Sequence, residues 1–278
     1  MSLLKLPRAL TMAGFDPSGG AGVLADARTF AAFGFQASAA ITSITFQNAE
    51  SVFGAVHQTA ETVRAQVMPL LEEVKIVCSK TGMLPTREVV LEVARLFRET
   101  DLPRPVVDPV IMSSSGRRLM EEGALDALIE ELLPLAQLLT PNVPEAETIT
   151  GITITSEADM RRAAASIRKL GARAVLIKGG HLKKQKAEGS RQTADGSKQE
   201  TGIGQAQDES DEAIDVLDNE GKVTVFRERR VSGAELHGSG CILSAAIAAG
   251  LGKGMTLEDS VGVAKSFVLE AIRNAPRA

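Results

Sequence analysis

The 278-residue sequence predicts an α/β protein: a mostly parallel central sheet with helices on both faces. Three observations carry that expectation. Short apolar runs alternate with helix-periodic segments along most of the chain, and strands separated by helices become parallel neighbours covered on both sides. Glycine-rich or polar turns follow several apolar runs, where parallel sheets place their ligand sites. No internal repeat breaks the alternation, so residues 1–278 read as a single domain.

Arg8 to Ala13 reads as a buried strand, followed by the turn Gly14-Phe15-Asp16-Pro17-Ser18-Gly19-Gly20. Ala21 to Phe33 has helical periodicity and stops at Gly34. Strands follow at Ala37–Thr42, Lys75–Cys78, Pro105–Asp108, Gln137–Thr140 and Ala172–Lys178. Between and beside them run helices at Glu61–Glu72, Thr86–Arg98, Gly123–Leu133, Pro144–Thr150 and Arg161–Leu170, the last introduced by a capping box of Ser156 and Asp159. Ala213–Leu217 and Lys222–Phe226 flank Asp218-Asn219-Glu220-Gly221 and form a hairpin. Helices Gly240–Leu251 and Leu257–Asn274 close the chain, the second capped by Thr256 and Asp259.

One segment breaks the pattern. Lys183 to Glu212 is nearly free of large apolar residues and cannot bury enough surface to offset its ordering entropy, so it reads as a flexible insertion. A lid or a partner tether is the functional alternative to a tolerated surface loop.

Composition excludes several classes. A net charge of −4 argues against a nucleic-acid surface, and an aromatic content of 3% without Trp or Tyr argues against base-stacking platforms. Three histidines and two cysteines count against a protein-bound zinc site. No apolar run reaches the length of about 18 residues that a membrane helix requires. Cys78 and Cys241, with no secretory leader in view, fit a reducing cytosol better than a disulfide framework.

The chemistry concentrates at the turns. In His237-Gly238-Ser239-Gly240-Cys241 a glycine-rich turn opens into an apolar helix. Small residues let backbone amides approach an anion, and the helix start adds partial positive charge, which suits a transferring phosphoryl group. The same position favours a Cys241 thiolate. A plain glycine turn with a buried cysteine is the alternative. The Gly14–Gly22 loop is neither a Walker A motif nor a dinucleotide fingerprint. Asp26, one turn into the following helix, could face a ligand or complement the helix dipole. Asp108, Asn142 and Glu145 end strands or begin helices; as oxygen ligands they could hold a hydrated Mg²⁺ on nucleotide phosphates. Asn142 could instead be an N-cap with Glu145 a first-turn acid. Lys178, before Gly179-Gly180-His181, could meet phosphate charge or end a strand. Lys80-Thr81-Gly82-Met83 follows the Lys75–Cys78 strand and has the same two readings.

The ordered set of Gly14–Gly22, Lys80–Met83, Val107–Val110, Thr140–Glu147, Lys178–His181 and His237–Cys241 resembles the hydroxymethylpyrimidine and phosphomethylpyrimidine kinases of thiamine biosynthesis. The resemblance covers almost the whole chain apart from the insertion. It implies a ribokinase-like fold, a homodimer, and two ATP-dependent phosphorylations, of 4-amino-5-hydroxymethyl-2-methylpyrimidine and then of its monophosphate. It implies that Gln47 contacts the pyrimidine, that Ala21, Met83 and Val110 are pocket walls, and that Asp26 is a polar pocket residue. Cys241 takes the place of the Asp base of sugar-kinase relatives, with its pKa expected to be lowered by the helix end. Gly238, Ser239, Gly240 and Cys241 would hold the phosphoryl charge, Lys178 and Ser239 would contact ATP, and Asp108, Asn142 and Glu145 would organise Mg²⁺. Two departures stand out. Ser239 replaces the family's usual Thr, and Ser113-Ser114-Ser115-Gly116 lacks the usual Lys, leaving Arg117 or Arg118 as replacements. A pyridoxal kinase is the main alternative. A sugar kinase and a non-catalytic sensor of the same fold are the others.

Overall fold

The computed structural model describes residues 6–48, 50–113, 116–180, 212–230 and 236–275. Among the described residues the strands form one nine-stranded sheet, in which strand β1 (Arg8–Phe15) is third from one edge. On one side it pairs in parallel with β2 (Gln36–Gln47), which pairs antiparallel with β3 (Val52–His57). On the other side run parallel β4 (Ile76–Thr81), β5 (Val106–Val107), β6 (Leu138–Leu139) and β7 (Ala174–Lys178). The antiparallel pair β8 (Glu212–Asn219) and β9 (Lys222–Arg229) completes that edge, as the hairpin signal predicted.

Helices cover both faces. Helix α1 (Gly22–Ala32), α7 (Ser239–Gly252) and α8 (Leu257–Asn274) cover one, where Phe30, Leu138, Leu176, Ile247 and Val261 form a buried core. Helices α2 (Ala60–Glu73), α3 (Arg87–Glu99), α4 (Ala124–Ala127), α5 (Val143–Thr150) and α6 (Glu157–Lys169) cover the other around Leu10, Met12, Val93, Leu128 and Ile167. Residues with one apolar stripe thus bury it against the sheet. Ser156 and Asp159 form the expected capping box, and the Thr256 hydroxyl accepts the Asp259 amide. No helix among the described residues is long and apolar enough to cross a membrane.

Three elements depart from the sequence reading. Strand β2 continues to Gln47, and β3 was not foreseen, because the burial pattern there is inverted: Ser43 and Thr45 point inward while Ile44 and Phe46 are exposed. An apolar-in, polar-out pattern is the signal that identifies a half-buried strand, and this hairpin lacks it. Strand β4 runs on through Lys80 and Thr81, which read as a turn because a lysine seldom lies in a core without a partner. The helix expected over Gly123–Leu133 is α for one turn, π over Leu128–Leu132 and 3₁₀ over Leu133–Leu135. Pro134, without an N–H, prevents a regular α-helical end. The Lys183–Glu212 insertion lies outside the described residues except for Glu212, which opens β8.

Candidate active site

The parallel strands deliver their carboxyl ends to the side where α1, α5 and α7 begin. Gly238, with φ of +78°, is the N-cap of α7. A side chain there would collide with the Gly20 carbonyl, so the turn needs glycine for both its backbone angle and its close packing. The Ser239 amide donates to the Leu236 carbonyl at 3.1 Å, while Gly240 and Cys241 occupy first-turn positions whose amides have no partner within the helix. A β-carbon built on Gly240 would lie 3.2 Å from Lys178 Nζ and 3.8 Å from Asp108 Oδ2. Helix start, lysine and carboxylate therefore converge on one small space.

The carboxylates there are already engaged. Asp108 Oδ1 accepts from Lys178 Nζ at 3.0 Å and from the Thr140 hydroxyl at 3.3 Å, and Oδ2 accepts from the Ser244 hydroxyl at 3.3 Å. Burial pushes the Asp108 carboxyl up, but Lys178 and Lys80 outweigh it and hold it below the usual range. Lys178 is raised: burial disfavours its charge, and Asp108 and Glu145 restore it. Asn142 and Glu145 form a capping box on α5, Asn142 Oδ1 accepting the Glu145 amide and Glu145 Oε2 the Asn142 amide, both at 2.8 Å. The capping alternative of the sequence analysis is thus realised. Burial pushes Glu145 up to about 6, helped by Asp108 and opposed by Lys178. No group of three or more His, Cys, Asp or Glu residues among those described is arranged to hold a metal ion. Asp108 and Glu145 are carboxylates near the α7 start, and both already accept hydrogen bonds from the protein.

Beneath the turn lies a second lysine–aspartate pair. Asp26 and Lys80 are both fully buried, with Lys80 Nζ 2.9 and 3.0 Å from the two carboxylate oxygens and the Thr11 hydroxyl donating to Oδ2 at 2.6 Å. Asp26 is thus committed to Lys80 and Thr11 rather than open on a pocket, which corrects the placement expected for it. Cys241 is also corrected. Burial pushes its thiol up to about 11; Lys80 and the Gly22 amide pull it down, and Asp108 and Asp26 push it further up. The helix-end effect is worth about one kcal/mol, less than the desolvation of a thiolate.

The loop after β1 carries the other expected pocket residues. Ala21 is the N-cap of α1, and its amide donates to Asp16 Oδ2 at 2.8 Å. Gln47 is the last residue of β2 and is half-buried. Met83 is buried; a β-carbon on Gly14 would meet its sulfur at 3.2 Å. Val110 is half-buried, its amide bonded to the Asp108 carbonyl at 2.9 Å. Beyond Met83 opens a cavity of about 370 Å³, lined also by Val52, His57, Arg117 and Met120. The arginines considered as substitutes for the missing loop lysine bind backbone instead: Arg117 Nη1 donates to the Val52 and Phe53 carbonyls, and Arg118 Nε to Met120. Ser114, Ser115 and His181 lie outside the described residues.

Sequence reasoning missed Asp16, Thr11, Thr140, Ser244 and the burial of Lys80. Only Asp16 left a signal, since Asp-Pro-Ser begins a side-chain-closed turn. The others are partners across strands distant in sequence.

Comparison with known proteins places the chain in a family. A family profile described as phosphomethylpyrimidine kinase matches residues 16–278. A hydroxymethylpyrimidine/phosphomethylpyrimidine kinase of Rhizobium meliloti is 40% identical over 97% of this chain and 91% of its own. The crystal structure of phosphomethylpyrimidine kinase from Clostridium difficile superposes with a TM-score of 0.76 at 34% identity, covering 96% of this chain and 99% of that one. An ADP complex of Bacillus subtilis pyridoxal kinase superposes with a TM-score of 0.81 at 31% identity, over 99% of this chain and 95% of that one. On this match along nearly the whole sequence, the chain belongs to the phosphomethylpyrimidine kinase family.

Proposed function

We propose that this phosphotransferase moves the γ-phosphoryl group of ATP to the hydroxymethyl group of 4-amino-5-hydroxymethyl-2-methylpyrimidine, and then phosphorylates the monophosphate to the diphosphate. The observation that carries the reading is the convergence of Gly240, Lys178 and Asp108 at the start of α7. Open amides of Gly240 and Cys241 and the Lys178 ammonium receive the charge that spreads over the transferring group. The alcohol oxygen attacks phosphorus as the bond to the ADP oxygen breaks, and the alcohol proton passes to Cys241 Sγ. Mg²⁺, when bound, neutralises phosphate charge, and Asp108 and Glu145 would hold it through water. Gln47 offers a donor and an acceptor to an aminopyrimidine edge. Ala21, Met83 and Val110 would wall the ring, and Ser239 would contact ATP. Asp26 acts from below, through Lys80.

A thiol near 11 holds its proton at neutral pH, so the reactive thiolate is a minor form that Lys80 favours. Turnover should therefore climb as pH rises from 7 towards 9. Cys241→Ala should lower turnover by about 10²–10⁴ while ATP still binds, because the base is lost and the amides remain. A variant with unchanged turnover would remove Cys241 from this role.

The direct test is an assay of ADP release with Mg-ATP and, in parallel, hydroxymethylpyrimidine, its monophosphate, pyridoxal and ribose. Turnover on the first two supports the proposal. Turnover mainly on pyridoxal would favour the second reading, which the likeness to the B. subtilis pyridoxal kinase motivates. We place the enzyme in the cytosol, where free Cys78 and Cys241 stay reduced. We also propose a homodimer, supported by Ile44, Phe46, Phe53 and Val56, all exposed on the β2–β3 hairpin. Sedimentation should give a dimer and Val56→Asp a monomer; a monomeric parent would refute the assembly.

A further inference from the structure

Lys178 closes strand β7, and its backbone is held from two sides. Its own amide donates to the carbonyl of Pro141, just beyond β6, at 2.9 Å. On the other side the β7–β8 ladder ends with Lys178 opposite Asp215. The next amide, that of Gly179, is taken by a side chain: it donates to Asp215 Oδ1 at 2.9 Å. Asp215 Oδ2 in turn lies 2.5 Å from Lys265 Nζ on helix α8, and both residues are buried. Position 179 needs glycine, since a β-carbon there would lie 2.0 Å from the Ile214 carbonyl oxygen and 2.8 Å from Met160 Cε. The chain after Lys178 is thus pressed onto β8 and pinned by one carboxylate, which the last helix holds with one lysine. An apolar pair could fill the same space without desolvating two charges. It could not accept the backbone N–H that the ladder leaves over.

We propose that the Asp215–Lys265 pair positions the phosphate-facing lysine: Asp215 fixes the Gly179 amide, and with it the backbone from which Lys178 reaches the start of α7, while Lys265 fixes Asp215. The effect is felt at Lys178 Nζ, which lies 3.0 Å from Asp108 Oδ1 and 3.2 Å from a β-carbon built on Gly240. A lysine ammonium rides on a flexible four-carbon stem, so its place depends on a fixed root. Displacing a group that meets the transferring phosphoryl by about 1 Å can cost about 10²-fold in rate. Helix α8, which supplies Lys265, thereby acts on the site through two buried contacts. Asp215 and Lys265 are positioning residues, and Lys178 is the group they serve.

The task of Lys178 at the phosphate rests on the proposed function; the hold on Gly179 does not, and the tests separate them. Two double variants also separate positioning from stability. Asp215→Leu with Lys265→Met removes both charges and the acceptor. Asp215→Asn with Lys265→Met removes both charges and keeps an acceptor for the Gly179 N–H. Neither strands a buried charge, so both should unfold in denaturant close to the parent. If the Leu variant unfolds early, Asp215→Ala with Lys265→Met takes its place. Hydrogen exchange on the substrate-free enzyme tests the hold: the Gly179 amide should exchange faster in the Leu variant than in the Asn variant, and equal rates overturn it. Kinetics test the positioning. The Leu variant should lose about 10-fold in kcat with KM for the alcohol substrate unchanged, and the Asn variant should recover most of that loss. Equal kcat in the two would make the pair purely structural and overturn the proposal. Added to Lys178→Met, the Leu variant should lower kcat no further than Lys178→Met alone, since the pair acts through Lys178. A further 10-fold loss would show a separate action and also overturn it. If the parent turns over none of the offered alcohols, the proposed function fails by itself, and calorimetric titration with Mg-ATP then decides the positioning. The Leu variant should bind Mg-ATP about 10-fold more weakly than the Asn variant, and equal affinities overturn the proposal.

Discussion

Two lysine–aspartate pairs stand near the carboxyl ends of the parallel strands, Lys80 of β4 with Asp26 of α1 and Lys178 of β7 with Asp108 just after β5, and they do different things. Lys80 and Asp26 are sealed, each side chain 0% exposed, with Thr11 completing the carboxylate. Lys178 and Asp108 have the same chemistry, but the lysine keeps 16% of its side-chain surface and lies against Gly240 at the start of α7. A sealed ion pair cannot exchange partners, so it sets the electrostatic floor under Cys241. A pair at the surface of the site can trade part of its interaction for an arriving phosphate. Access, rather than residue type, decides which pair is structural and which meets ligand.

Removing one partner of each pair sharpens the contrast. The largest expected effect on stability is Lys80→Met, which strands a buried carboxylate and should cost about 3–5 kcal/mol in denaturant unfolding. Lys80→Met combined with Asp26→Leu should recover most of that loss. A single variant as stable as the parent would show that the sealed pair is not a structural element. Lys178→Met should lower turnover by about 10²–10³, with a stability cost of only about 1–3 kcal/mol because Thr140 and Ser244 still hold Asp108. Equal turnover losses in the Lys178 and Lys80 variants would erase the distinction drawn here.

The smallest expected effect concerns Glu145, the carboxyl beside the open pair. Its pKa of about 6 in the fold exceeds the ordinary 4.5, so the fold favours its protonated form. That contribution is fully present below the ordinary value and is lost as pH rises through about 6. Glu145→Gln keeps the capping geometry and should remove about 1–2 kcal/mol of stability change between pH 4.5 and 7. Identical pH profiles of stability for the two proteins would mean that Glu145 titrates as an exposed carboxyl does.

Legibility in the sequence followed the range of each interaction. The capping box at Ser156–Asp159, the Thr256 cap of α8, the β8–β9 hairpin and the glycine turn before α7 are local, and each was readable from residues a few positions apart. The β3 strand was not, because its hairpin turns apolar side chains outward. Lys80 was not, because its partner Asp26 lies 54 residues away. Asn142 and Glu145 were read both as cation ligands and as caps, and the structure places them in a capping box.

By itself, then, the order of apolar runs and glycine turns determined the α/β class, the succession of most elements and the end of the sheet where chemistry belongs, since periodicity and turn preference are short-range properties of the chain. The tertiary structure alone decided the protonation of Cys241, the commitment of Asp26 to Lys80, and the meeting of Asp16 and His237. Those depend on desolvation and on charges brought within a few ångströms by folding, quantities that separation along the chain does not encode.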